Sequence, residues 1–338
     1  ELLNYLQKTG VRFGADLNAT TSFDFTLYML PIPTSDAGIL QNGYQVLRDW
    51  AGSLLLEQDE IDKERGIILE EKRMRQNAGM RMFSAYVPDM LNNSKYSQRL
   101  PIGSEEIIKT APRKAFTDFY KDWYRPNNMA VIAVGDIDPA KTEATIKKLF
   151  GDLKNPPQAP VRPALTPIKW HASNKAKIVS DPENTSTMLN IYLGMEKAQP
   201  EITWPALSKE KLAEVIGELF SGRLNDYTVD PKSPIGSGNI SLSGSFFRGY
   251  KTNLLSAFVK NNPQEAVNIM IAEFLRAKKF GFTQPELKKV KKTMLKDYEE
   301  LLAEKDKTES ASHVAEYIQH FLAKDPIPGI EAEKNFID

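Results

Sequence analysis

Two glutamates in one predicted helix are the residues of this sequence best placed for chemistry. Glu64 and Glu71 lie seven residues apart in a strongly charged helical segment from Asp59 to Arg81. This spacing puts both carboxylates on one face of the helix. Basic neighbours at positions 72, 73 and 75 offer ion-pair partners. Local composition alone therefore favours a solvated, ion-paired helix.

Several other chemistries lack the residues that they need. The sequence has no cysteine, which excludes disulfides, cysteine-ligated zinc and thiol nucleophiles. It contains neither the Gly-x-Ser-x-Gly segment of a hydrolase elbow nor the Gly-x-x-x-x-Gly-Lys-Ser/Thr segment of a phosphate-binding loop. Three histidines remain, His171, His313 and His320.

Composition limits the partners of the protein. The 338 residues are 41% hydrophobic and 26% charged, which is typical of a globular protein and favours two domains. Lys plus Arg equals Asp plus Glu at 44 each, so no net charge attracts nucleic acid or an anionic membrane. No apolar run is long enough to predict a membrane span. The chain opens in a helix-like segment without methionine, and we expect it to be a piece of a longer protein.

The first half of the chain must position the two glutamates. Period-two alternation from Phe23 to Met29 predicts a strand that ends at Pro31, and the apolar run Met129 to Val134 predicts a buried strand. Helices are expected from Asp36 to Leu54, 59 to 81, 104 to 123 and 139 to 150. Two strands are few for so many helices. We therefore expect a sheet whose other strands lie outside this sequence.

A proline-rich stretch from Gly151 to Pro167 predicts an extended connector, and we place the domain boundary there, giving domains 1–155 and 156–338. The second domain is predicted to hold strands at 176–180, 187–193, 240–246 and 253–259. Its helices are predicted at 205–220, 263–279, 284–304 and 309–321. Strands and helices that do not alternate as βαβ units indicate an α+β fold of two related layer-sandwich domains, each a mainly antiparallel sheet covered by helices.

The glutamate helix resembles part of the pitrilysin/insulinase family of zinc metallopeptidases. In that family an inverted His-x-x-Glu-His motif supplies two zinc ligands and the general base. The third ligand is the second Glu of a downstream Glu-Arg-x-x-x-x-x-Glu helix, which matches Glu64-Arg65 and Glu71. The resemblance implies that Glu71 is a Zn²⁺ ligand and that Glu64 is an orienting carboxylate. The His-x-x-Glu-His segment is absent, and the family spacing places it just before Glu1.

A second matching segment is Asn18-Ala19-Thr20, with the strand that follows it from Thr21 to Leu30. It is similar to the family's edge strand, which pairs with the substrate backbone. The resemblance implies that Asn18, Ala19 and Thr20 bind a peptide through main-chain hydrogen bonds. A simple turn is an equal alternative from local sequence alone.

Further matches follow in the family's order, at Leu100 to Glu106 and from Phe119 through Gly135-Asp136. His313-Val-Ala-Glu316-Tyr317 imitates the inverted motif but has Tyr in place of the second His, so a partly exposed helix is favoured over a metal site. Arg223 and Tyr227 receive no role, because the family's substrate-gripping Arg and Tyr belong to its C-terminal half.

The resemblance implies a part of a zinc-dependent endopeptidase that hydrolyses peptides or unfolded polypeptides, inactive without the missing motif. Its partners would be a peptide substrate and either the C-terminal half of the same chain or a homologous subunit. A bacterial periplasmic or cell-envelope location is expected from the resemblance alone. The alternative is a non-catalytic homologue that acts as a partner subunit or as a peptide-binding scaffold.

Overall fold

The computed structural model describes residues 18–164, 166–198, 203–247 and 249–337. The chain forms two compact units, Glu1–Asp181 and Pro182–Asp338, which are described separately. Both combine helices with a small antiparallel sheet, as the α+β prediction requires. No helix in these ranges is long and apolar enough to cross a membrane.

The irregular stretch after residue 150 is attached to the first unit by polar contacts. Its described residues up to 186 form no helix or strand, so the strand predicted at 176–180 is wrong. No backbone hydrogen bond pairs residues 176–180 with the described chain, and a strand is defined by such pairing. Arg81 makes a bidentate ion pair with Asp181, both distances 2.7 Å, and Lys177 Nζ lies 2.7 Å from Asp89. These contacts explain why the first compact unit extends to residue 181. The boundary of the homologous domains at 155/156 stays a prediction.

Capping residues set where the helices of the first unit begin. The Asp36 carboxylate accepts hydrogen bonds from the backbone N–H groups of Gly38 and Ile39, and Asp138 caps its helix in the same way. The helices are α1 (Ala37–Gly52), α2 (Gln58–Arg75), α3 (Ala78–Met90), α4 (Lys95–Gln98), α5 (Glu105–Thr110), α6 (Arg113–Trp123) and α7 (Pro139–Phe150).

Two predicted helices are each divided in the structure. The expected helix from 59 to 81 is interrupted after Arg75, and Asn77 starts α3 by accepting a hydrogen bond from the Met80 N–H at 3.0 Å. The expected helix from 104 to 123 is interrupted at Ala111-Pro112. Proline lacks an N–H and disfavours helical geometry in the residue before it, which accounts for the second break.

The strand predicted from Thr21 to Leu30 is a β-hairpin. Strand β1 (Asn18–Thr21) pairs antiparallel with β2 (Thr26–Met29), and residues 22–25 form the turn. The Ser22 N–H donates to the Phe25 carbonyl at 2.9 Å, which continues the ladder into the turn. The two-residue alternation predicted from Phe23 to Met29 therefore does not continue through the turn at residues 22–25.

The apolar run from Met129 to Val134 is not a β-strand in the structure, which corrects the sequence prediction. Its residues are largely half-buried, but no backbone hydrogen bond joins residues 130–134 to any part of the chain that the structure describes. A strand is defined by pairing with a neighbour, and apolar sequence alone does not supply one.

The second unit is built on a three-stranded antiparallel sheet in the order β3-β5-β4, where β3 is Thr187–Lys197, β4 is Ile235–Phe247 and β5 is Tyr250–Val259. Buried residues of β5 alternate, as expected for a sheet with one covered face. The helices are α8 (Trp204–Thr228), α9 (Pro263–Phe280), α10 (Gln284–Ala303), α11 (Ser310–Ala323) and α12 (Ile330–Ile337).

The core of the second unit lies between the sheet and the helices α8 and α9. Phe220, Leu224, Leu255 and Met270 are among its fully buried side chains. Gly217 allows α8 to lie close to β4, since a Cβ atom there would be 3.3 Å from the Ile240 carbonyl oxygen. A larger side chain would push helix and strand apart.

A buried ion pair fixes α8 to α10. Arg223 is 7% exposed and donates to both carboxylate oxygens of Glu286, at 2.6 and 3.0 Å, and to the Gly281 carbonyl at 2.9 Å. Its guanidinium also stacks over the Phe282 ring. Glu286 in addition completes the capping box of α10 with Thr283. One carboxylate thus serves both the helix start and the contact between two helices.

We predict that Glu286→Gln lowers the free energy of unfolding by about 3 kcal/mol at pH 7, because it leaves Arg223 buried without its counter-charge. Hydrogen bonds from Arg223 lower the Glu286 pKa from 4.5 to about 2. The carboxylate therefore stabilises the fold above pH 4.5, and this contribution is lost as the pH falls towards 2.

Urea unfolding of the protein and the variant at pH 7 and pH 3 measures the difference. Glu300→Gln is a matched control, since Glu300 pairs with Lys296 on the exposed side of α10 and its loss should cost less than about 0.5 kcal/mol. A difference for Glu286→Gln that is equally small, or that grows at pH 3, would contradict the assignment.

Candidate metal-ligand helix and peptide-binding strand

The structure places Glu64 and Glu71 on one helix, α2, as the sequence predicts. The helix carries Asp59 and Glu60 in its first turn and basic residues in its last turn, the charge order that the helix dipole favours. Glu64 is exposed, and the Glu71 side chain is 38% exposed. The Glu71 carboxylate forms an ion pair with Arg75, with 2.6 Å between Oε1 and Nη2, so it is an ion-paired surface group.

Glu71 lies in an open surface hollow with an apolar border. The hollow is lined by Gly66, Ile67, Glu70, Glu71, Met74 and Arg75. Ile67 is 59% and Met74 73% exposed, and both stand one helical turn from Glu71. Exposed apolar side chains on both sides of a carboxylate are typical of a helix face that packs against another segment. A carboxylate on such a face, here that of Glu71, would lie in an enclosed site once the other segment is packed against it.

Arg65 holds α2 in place. Its guanidinium donates to the Asp62 carboxylate at 2.8 Å and to the carbonyl of Ala111 at 2.6 Å, and it also bonds the Ile108 carbonyl. The ring of Phe116 lies beneath it. These carbonyls lie at the end of α5, where the helix leaves backbone acceptors without intrahelical partners. The Arg of the Glu-Arg pair is therefore the residue that orients the glutamate helix, a role that the sequence analysis did not assign.

One carboxylate is too few for a catalytic zinc site. Within the described residues no group of three or more His, Asp or Glu side chains is close enough to hold a metal ion. Catalytic zinc sites use three protein ligands, and a carboxylate is one suitable ligand type. Glu71 is therefore a candidate for one of those three ligands.

The hairpin exposes the predicted binding strand. All four residues of β1 are exposed, and its register pairs Asn18 with Met29, Ala19 with Tyr28 and Thr20 with Leu27. Because Ser22 donates across the turn, the alternation of an antiparallel ladder points the N–H groups of Ala19 and Thr21 away from β2. The Ala19 N–H is satisfied by its neighbour, the Asn18 side-chain oxygen, at 2.8 Å. An approaching peptide carbonyl can take the place of that oxygen.

Three of the other candidate residues have hydrogen-bond partners within the second unit. His320 Nδ1 lies 2.7 Å from the carbonyl oxygen of Asp325, and His313 and Glu316 belong to no metal-binding group in the described chain. Tyr227 donates to Glu273 at 2.8 Å, and Arg223 is buried in the ion pair described above. The sequence singled out these residues by type, but their partners lie in other elements.

Comparison with known families agrees with the fold and the glutamate helix. The family profile described as "Insulinase (Peptidase family M16)" matches residues 1–103, and that described as "Peptidase M16 inactive domain" matches residues 110–294. The chain therefore belongs to the peptidase M16 family, which confirms the resemblance to the pitrilysin/insulinase group.

Individual relatives are zinc proteases by name. The chain is 30% identical to the "Probable zinc protease PqqL" of Escherichia coli K12 over 87% of its own length and 32% of the relative. It is 29% identical to the "Zinc protease PQQL-like" of Arabidopsis thaliana over 98% and 32%, respectively. The chain thus spans about a third of the length of these curated relatives.

Solved structures show the same architecture. The first half of the periplasmic protease PqqL from Escherichia coli superposes with a TM-score of 0.90 at 27% identity, over 99% of this chain and 71% of that one. Pitrilysin superposes with a TM-score of 0.68 at 15% identity, over 99% and 35%, a likeness of fold alone.

We predict that Arg65→Lys lowers the free energy of unfolding by about 1 to 2 kcal/mol, because a lysine ammonium cannot reproduce the planar fork that bonds two carbonyls and a carboxylate. Urea unfolding measures the change. Arg73→Lys on the same helix is the control. Arg73 is 75% exposed, and within the described residues its hydrogen bonds go to Glu70 only. Equal effects of the two variants would show that Arg65 does not orient α2.

Proposed function

We propose that this chain is part of a zinc-dependent endopeptidase that hydrolyses peptides or unfolded polypeptides. The observation that carries the proposal is the position of Glu71, on a helix face bordered by exposed Ile67 and Met74 and oriented by Arg65. The names of the relatives support zinc as the metal. The chain spans about a third of the length of these curated relatives, so the whole protein's activity is part of the proposal.

Glu71 would hold Zn²⁺ together with imidazoles from outside the described residues, and Glu64 would orient the ligands. Bound zinc would supply a Lewis acid that polarises a peptide carbonyl and makes water more acidic. The chain described here would contribute one anionic oxygen ligand and the surface that aligns the substrate. For Glu71 to ligate the metal, Arg75 must release its carboxylate, which costs little because the pair is exposed.

Strand β1 would bind the substrate as an added strand. The outward N–H groups of Ala19 and Thr21 would donate to carbonyls of an extended peptide, with Asn18 and Thr20 beside them. Main-chain pairing of this kind depends little on side-chain identity, which suits a broad range of unfolded substrates. The remainder of the same polypeptide or a homologous subunit would close over the strand.

The second domain would serve the enzyme without a metal site of its own. Its profile match carries the description "inactive domain", and this favours a structural or peptide-enclosing role for the second unit. Balanced charge makes nucleic acid an unsuitable partner. The periplasmic relative supports a periplasmic or cell-envelope location. We place the boundary between the two homologous domains at 155/156.

We predict that Glu71→Gln in the intact protein lowers zinc affinity at least about tenfold and lowers peptide turnover with it, since loss of a direct ligand should cost no less than loss of a supporting partner. Glu64→Gln should lower zinc affinity by about tenfold or less. Metal content after dialysis and calorimetric zinc titration measure the effect independently of activity.

Glu60→Gln is the matched control, because Glu60 is an exposed carboxylate of the same helix that pairs with Lys63. Unchanged zinc affinity in Glu71→Gln would remove Glu71 from the metal site. An intact protein that binds no zinc would instead favour the alternative of a non-catalytic partner or peptide-binding scaffold.

We also predict that Ala19→Pro raises KM for an unfolded peptide about 3- to 10-fold, because it removes an outward donor worth one hydrogen bond. The ladder bonds to β2 use other residues and should remain. Ala19→Gly keeps the N–H and should stay near the KM of the unmodified protein. If Ala19→Pro and Ala19→Gly have the same KM as the unmodified protein, peptides do not pair with β1.

A further inference from the structure

Tyrosine contacts attach the hairpin to the helices at both of its ends. Tyr28 in β2 lies directly across the ladder from Ala19. Its hydroxyl oxygen is 2.5 Å from that of Tyr124, which follows α6, and its ring also contacts Trp50 of α1 at 5.6 Å between centroids. The inner strand is thus tied at the point opposite the outward N–H of Ala19.

Tyr124 also contacts Tyr120 of α6. The two rings pack at 4.6 Å between centroids, tilted by 40°. The Tyr120 hydroxyl donates to the Trp50 carbonyl at 2.8 Å and accepts from the Leu54 N–H at 3.3 Å. A continuous series of contacts therefore runs from β2 through two tyrosines to the end of α1. Each tyrosine ring has few rotamers, so the series is stiff.

The turn of the hairpin has a separate attachment. Tyr96 of α4 is 4% exposed, and its hydroxyl donates to the Asp24 carboxylate at 3.1 Å. Its ring meets Phe23 edge to face at 5.4 Å. Strand β1 has four exposed residues and is positioned through its ladder with β2. The direction of its outward N–H groups is therefore set by contacts that β2 and the turn make.

We propose that Tyr28, Tyr124 and Tyr96 are positioning residues for peptide binding at β1. They hold the hairpin so that the outward donors keep one direction before a peptide arrives, and binding then loses less conformational entropy. This inference rests on the proposed role of β1 but not on the metal. It predicts an effect on KM with little effect on kcat. Within the described residues, the contacts given for these tyrosines do not include Glu71, and the tyrosines are not proposed to touch the reacting bond.

The test is a double-mutant cycle in the intact protein with an unfolded peptide substrate. Tyr28→Phe or Tyr124→Phe leaves one half-buried hydroxyl without its partner, whereas the double variant leaves two apolar rings that still pack. We expect each single variant to raise KM about 3- to 10-fold, with kcat changed less than about twofold. The double variant should have a KM closer to that of the unmodified protein than either single variant.

Hydrogen exchange of residues 18–29 is the second measurement. Exchange should be faster in both single variants and restored in part in the double variant. Tyr227→Phe is the matched control, since it removes one half-buried tyrosine hydrogen bond, to Glu273, in the second unit. It should lower stability to a similar degree and leave KM and the exchange of residues 18–29 unchanged.

The outcomes separate this inference from the proposed function. If Ala19→Pro raises KM while both tyrosine variants leave KM and exchange unchanged, the positioning role is wrong and peptide pairing with β1 stands. If Ala19→Pro has no effect, peptide pairing fails and the positioning role fails with it. An equal rise of KM in Tyr227→Phe would show general destabilisation and would also overturn the inference.

Discussion

The bonds of Arg65 to backbone carbonyls at the end of α5 are the contact on which the candidate site depends. Apart from them, α2 is a charged helix held by one buried residue, Ile61, and by an exposed hydrogen bond from Lys72 to the Gly103 carbonyl. Successive side chains of a helix point about 100° apart, so a rotation of α2 about its own axis would turn Glu71 away from the direction in which it now points. The guanidinium fork opposes such rotation because it meets acceptors on another helix.

Under the proposed zinc role, this face of α2 would supply one carboxylate ligand, that of Glu71. The neighbouring side chains Ile67 and Met74 are exposed. Water around a carboxylate competes strongly with a metal, and apolar side chains exclude water only when another surface covers them. A further segment packed on α2 would cover Ile67 and Met74 and would also exclude water from the Glu71 carboxylate. The exposure of the two apolar side chains and the single carboxylate therefore support the same proposal.

Much of the fold follows from local sequence, and the departures have physical causes. The helical face shared by Glu64 and Glu71 follows from residue spacing alone, and the start of α1 follows from Asp36 as a capping residue. The break before α6 is explained by Pro112, which the helix predicted from 104 to 123 does not take into account. The run Met129 to Val134 was expected as a strand, yet pairing depends on a partner that composition does not specify.

The site could be predicted only as far as its residues resemble a motif. Tyr28 falls within the predicted strand, and nothing in the sequence indicates its bond to Tyr124, which lies 96 residues away. Contacts between residues far apart in sequence depend on how helices and strands pack. A sequence motif contains the reacting residues but not the residues that position them. The same reasoning applies to the second unit, where Arg223 and Tyr227 have the right types for substrate contact but hydrogen-bond to other residues of that unit. A side chain already bonded in the core must break those bonds to bind a substrate, so residue type alone does not assign it a role.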